Sequence, residues 1–117
     1  MEQKIPSISD SDVKRIVKRD FPQSEFIEIK DILKTYKSEN EKGKNRIYAS
    51  ILKLSNGNVE LVKKYIEKAN TDYRDVIALS EYPNYSEHAF EDELSVKKKK
   101  QLINDDWTQY EAWLNKT

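Results

Sequence analysis

The chain has no cysteine, which excludes disulfides, thiolate metal sites and thiol nucleophiles. Two glycines and three prolines are too few to supply the turns of an all-β domain. The single histidine, His88, has Glu87, Glu91, Asp92 and Glu93 for neighbours. A di-metal carboxylate bundle needs a Glu-x-x-His pair from each of two helices, so these residues read as a solvated acidic face. No metal and no cofactor are therefore expected. No apolar run approaches the roughly 18 residues of a membrane span. The opening MEQKIPSISDSDVKR lacks the apolar core of a signal peptide. A cytoplasmic protein with no membrane contact is the expectation. Lys+Arg and Asp+Glu each number 21, and a formal charge of zero argues against a general nucleic-acid binder.

What the chain does have is helical periodicity. Its 117 residues suit one domain, and 37% hydrophobic against 36% charged residues leaves enough for a single core. The densest apolar stretch is Arg46–Tyr82, read as three consecutive helices at the centre of the fold. Ile47, Ile51 and Leu54 form the first stripe, widened by Tyr48 and Leu52. Asn56-Gly57 ends that helix and Asn58 caps the next, whose stripe is Val59, Val62, Ile66 and Ala69. A break at Asn70-Thr71, with Thr71 and Asp72 as caps, opens the third. There Tyr73, Val76, Ile77 and Ser80 face inward, and Pro83 closes the segment.

The flanks follow the same logic. Residues 1–8 form a loose lead-in, and residues 9–117 one helical domain with its core at 46–82. Ser9-Asp10-Ser11-Asp12 caps a helix carrying Val13, Ile16, Val17 and Phe21, stopped by Pro22. Ser24 caps another, with Phe26, Ile29, Ile32, Leu33 and Tyr36 in phase. Lys37–Asn45 reads as a polar loop. Ser86–Leu94 reads as a short acidic helix anchored by Phe90 and Leu94. Ser95 then caps a last helix bearing Val96, Ile103, Trp107, Tyr110 and Leu114. The expected fold class is all-α, a single domain of five to six helices in a compact antiparallel bundle.

Two stretches, TDYRDVIALSEYP (Thr71–Pro83) and NDDWTQYEAWL (Asn104–Leu114), resemble a group of short uncharacterised bacterial proteins. In that group an AILKL helix followed by glycine precedes the DYRDV and EYP elements. Here Ala49, Ile51–Leu54, Gly57, Asp72–Val76, Ala78 and Glu81–Pro83 carry the likeness. The resemblance implies a cytoplasmic bacterial protein of helical type, and no activity, cofactor or substrate.

Candidate functional residues form two sets. Tyr73, Arg74, Asp75, Glu81, Tyr82, Tyr110 and Trp113 are a candidate interaction surface, with Trp113 expected to stay partly exposed beside Tyr110. Lys97, Lys98, Lys99 and Lys100 are candidate phosphate contacts, because four cations in the first turn of a helix oppose its dipole. The acidic Glu91, Asp92 and Glu93 just upstream offset them. Asp72, Asp75 and Glu81 raise the alternative of an enzyme with a carboxylate site, but no nucleophile, phosphate loop or oxyanion donor accompanies them. The expected function is a non-enzymatic protein–protein interaction module, self-association included. A nucleic-acid-binding accessory protein using Lys97–Lys100 is the alternative.

Overall fold

The structure is a computed structural model that describes residues 5–37, 43–88 and 95–116. Helix α1 (Asp10–Asp20) starts at a capping box. The Asp12 amide donates to Ser9 Oγ at 3.1 Å, and the Ser9 amide donates back to the Asp12 carboxylate at 3.0 Å. The bond from the Ser9 amide holds the Asp12 carboxyl below the ordinary carboxylate range. The helix ends at Phe21, which is extended because it precedes Pro22. A 3-10 turn (Gln23–Glu25) leads directly into α2 (Phe26–Leu33). Ser24, expected to cap α2, lies inside that turn instead. The turn's own backbone bond, from the Glu25 amide to the Pro22 carbonyl, does the work expected of a side-chain cap.

Helices α3 (Lys44–Ser55) and α4 (Val59–Glu81) form an antiparallel hairpin at the centre. Asn56 (φ 48°) and Gly57 (φ 78°) reverse the chain in the left-handed region, and Asn58 caps α4 through the Leu61 amide. Gly57 is required twice over, since a Cβ there would lie 2.9 Å from the Asp20 carbonyl oxygen at the end of α1. Helices α1 and α2 pack on one side of the hairpin, and α5 (Pro83–Glu87) and α6 (Val96–Leu114) close on the far end of α4. Among the described residues there is no strand. The molecule is a single all-α domain.

The core takes Ile16 and Phe21 from α1, Ile29 and Leu33 from α2, and Val62, Ile66 and Val76 from α4. Helix α3 is buried over most of its circumference, from Ile47 through Leu52. That is the position its broad apolar face demands.

The expected break is present as a kink in α4: two helical segments meet at Asp72, whose φ −155° and ψ 98° are non-helical. Asp72 Oδ1 accepts from the Arg74 amide at 3.1 Å and so caps the second segment, as expected. Four local expectations are corrected. Tyr73, in the first turn after the bend, is 46% exposed and does not face inward. Pro83 opens α5 at its first position, where a missing N–H costs nothing, and α5 ends at Glu87. The rest of the expected acidic helix, with Phe90 and Leu94, lies outside the described residues. Finally, α6 starts at Val96 behind a Ser95 cap, but Val96 is 71% exposed because burial on this helix begins only at Ile103. The expected loop at Lys37–Asn45 yields its last two residues to α3, and residues 38–42 are outside the description.

Two substitutions test this core. Ile51→Ala, at a fully buried site, is expected to cost about 2–5 kcal/mol in urea unfolding. Gly57→Ala is expected to cost about 1–3 kcal/mol from backbone strain. A loss below about 0.5 kcal/mol in either would displace the α3–α4 hairpin from the centre of the fold.

Candidate functional site

On helix α3, Arg46, Ser50 and Lys53 are spaced to share one polar face. Arg46 meets Glu81, the last residue of α4. Its Nε and Nη2 donate to the two carboxylate oxygens, each at 2.8 Å, in a bidentate pair. The Glu81 side chain is 0% exposed and that of Arg46 27%. Bonding to Glu81 pushes the Arg46 guanidinium pKa up.

Asp106 of α6 is the second buried carboxylate. It caps α5 across the interface, accepting from the Asn84 amide at 3.2 Å, Asn84 Nδ2 at 2.9 Å and the Tyr85 amide at 2.8 Å. These are orphan donors at a helix start, where a negative charge is favoured. Gln109, one turn on, donates to the Ser80 carbonyl at 3.2 Å. Burial pushes the Lys53 ammonium down, with the Asp106 charge opposing. Burial also pushes Tyr82 up, and Tyr110 further, with Glu81 adding in both. The hydroxyls of Ser50, Ser80 and Tyr110 are buried without a hydrogen-bond partner. Both carboxylates are thus enclosed and engaged, and this centre joins α3, α4, α5 and α6.

Three of the residues chosen from the sequence, Glu81, Tyr82 and Tyr110, therefore belong to the interior. Tyr73, Arg74 and Asp75 are exposed at the α4 bend, where Arg74 pairs with Asp72 at 3.2 Å. Trp113 is half-buried, its ring centroid 5.7 Å from that of Tyr110. The Arg19 guanidinium lies 5.1 Å over its face. Trp107, expected in the core, is also half-buried and stacks on Tyr110 at 6.4 Å. Lys97, Lys98 and Lys100 are exposed on the first turns of α6, and Lys99 is partly covered. The first set is thus divided between the interior and the surface and does not form one face.

A surface that the sequence reading passed over is more open. Between α1 and α2, with the start of α3 at its end, lies a groove of about 370 Å³. Val13, Val17, Phe26, Leu33 and Tyr48 provide its apolar lining. Lys14, Lys18, Lys30, Lys34 and Lys44 surround that lining, against one carboxylate, Asp10. Asp10 is itself engaged, accepting from Asn45 Nδ2 at 2.9 Å. The signal was present in the sequence: each helix sets lysines one turn apart (Lys14/Lys18, Lys30/Lys34) next to its apolar stripe. What the sequence hides is that α1 and α2 turn these edges toward each other. Among the described residues no group of acidic or histidine side chains could hold a metal ion, and no helix is long and apolar enough to cross a membrane.

No protein-family model, curated protein or solved structure matches the chain.

The buried pair has a test with a sign. Arg46→Met strands a fully buried carboxylate and is expected to cost about 3–5 kcal/mol, whereas Glu81→Gln costs less because Arg46 can reach water. Urea unfolding of wild type and both variants reads the difference. Equal losses for the two variants would refute the account.

Proposed function

We propose that this protein is a non-enzymatic protein–protein interaction module that binds through the α1–α2 groove. The observation behind this reading is the division of polar groups between interior and groove. The interior carboxylates are committed to internal partners, whereas the groove lysines on α1 and α2 flank apolar surface that the fold leaves accessible. Concave apolar surface with a few charged groups beside it is the usual form of a binding site. The half-buried state of Val13, Val17 and Phe26 fits a face still able to gain burial from a partner.

A second reading, a nucleic-acid contact through Lys97–Lys100, is favoured by the exposure of three of these four lysines at a helix start. Against it, the neighbouring α6 positions offer no interleaved aromatic ring for base stacking.

One comparison separates the two. Tagged protein is used to capture partners from native extract, alongside a Val13→Thr/Val17→Thr variant and a variant with Lys97–Lys100 changed to Gln. Circular dichroism confirms the fold of each. The groove variant is expected to lose the captured proteins, and the α6 variant to keep them. Capture unaffected by the groove changes would overturn the proposal. Salt-sensitive binding of DNA or RNA at about 50 mM salt, lost in the α6 variant, would support the second reading.

A further inference from the structure

The groove is specific enough in chemistry to name what it receives. We propose that it takes an acidic amphipathic helix of a partner protein, laid along the valley between α1 and α2 with its apolar face on Val13, Val17, Phe26 and Leu33. This rests on the interaction-module reading above and deepens it.

The length of the floor sets the form of the ligand. Val13 and Val17 are one turn apart, roughly 6 Å, and Phe26 and Leu33 two turns apart, roughly 10 Å. Apolar residues at i, i+3 or i+4, and i+7 of a docked helix cover the same distance, which is the usual pattern of helix-in-groove recognition. A third helix seated there would complete a layer that α1 and α2 leave half covered.

Charge sets the ligand's sign. Each wall contributes two exposed lysines, Lys14 and Lys18 from α1 and Lys30 and Lys34 from α2. Among the described residues none of these four makes an ion pair. Cations on both walls match a helix with carboxylates on both flanks of its apolar face. That distribution steers an acidic partner and repels a basic one. An isolated fatty-acid anion would leave most of these charges unmatched, because it carries a single charge at one end. Nucleic acid fits less well, since Phe26 is the one half-open ring on a floor otherwise made by Val13, Val17 and Leu33, and the Tyr48 ring is buried and held edge-on to Tyr36 at 6.3 Å.

The test uses full-length protein and synthetic probes. The first is a labelled helical peptide of about 15 residues, near the lower limit for a stable isolated helix. It has leucine at i, i+3, i+4 and i+7 and glutamate on both flanks. A second peptide replaces every glutamate with lysine. Anisotropy titration is expected to show binding of the glutamate peptide only. Binding should weaken with salt, and by at least about tenfold in the variant Lys14→Glu/Lys18→Glu/Lys30→Glu/Lys34→Glu. That variant should instead gain affinity for the lysine peptide. Amide shifts in NMR spectra should place the contact at Val13, Val17, Phe26 and Leu33. Equal binding of both peptides, binding elsewhere, or no binding would overturn the proposal. So would a preference for phosphatidylglycerol vesicles or an RNA oligonucleotide over the glutamate peptide. Failure here alongside loss of extract capture by Val13→Thr/Val17→Thr would reject the acidic helix and leave the groove reading standing. Failure of capture to respond to the groove would reject the reading itself.

Discussion

The bidentate Arg46–Glu81 pair is the constraint on which the far half of the molecule depends. It joins the first turn of α3 to the last residue of α4, so the two ends of the central hairpin are fixed at one point. A buried pair of this kind gives little net stability, because desolvation offsets most of the attraction. Its value is conditional. Once Glu81 is inside, any arrangement that separates it from Arg46 leaves a bare carboxylate in the core, and such arrangements are excluded. The chain leaves α4 at Tyr82 in a single direction, which is where α5 and α6 are built.

Asp106 repeats the principle across the next interface. A five-residue helix has too few internal bonds to hold itself, so α5 forms only where its first amides find an external acceptor. Asp106 is that acceptor, and Pro83 supplies no amide to compete for it. The end of α6 is held in turn by α1. Arg15 donates to the Leu114 carbonyl at 2.8 Å, and Arg19 to the Trp113 carbonyl at 2.7 Å and the Lys116 carbonyl at 2.8 Å. Two basic side chains thus satisfy the orphan carbonyls of a helix distant in sequence.

The same contacts show what a sequence can disclose. Caps and stripes are local, so Ser9, Asn56-Gly57, Asn58 and Ser95 were legible one by one, as was the burial of Ile16, Ile51 and Val62. The sign of burial at a charged position is not local. Glu81 and Asp106 look like surface residues on any hydropathy scale, and their burial depends on Arg46 and on the α5 amides, far away in the chain. Trp107 failed in the opposite direction, since its bulk and phase suggested core while packing left it at the margin, where Trp113 was expected and is found. The groove was invisible for a related reason: its lysines are unremarkable on each helix alone and become a feature only when α1 and α2 are set side by side.

That separation has a functional consequence. The buried carboxylates on the α4–α6 side, Glu81 and Asp106, are consumed in holding α3, α4 and α5 in place, so altering them disturbs the fold. Lys14, Lys18, Lys30 and Lys34 make no ion pair among the described residues, and Val13, Val17 and Phe26 beside them are only partly covered. Helices α1 and α2 are anchored from beneath by Ile16, Phe21 and Ile29, which are buried and take no part in the groove lining. A surface can change in charge without loss of structure only where its anchors point the other way. The two helices meet that condition, which is why the proposed contact is placed on their outer edges.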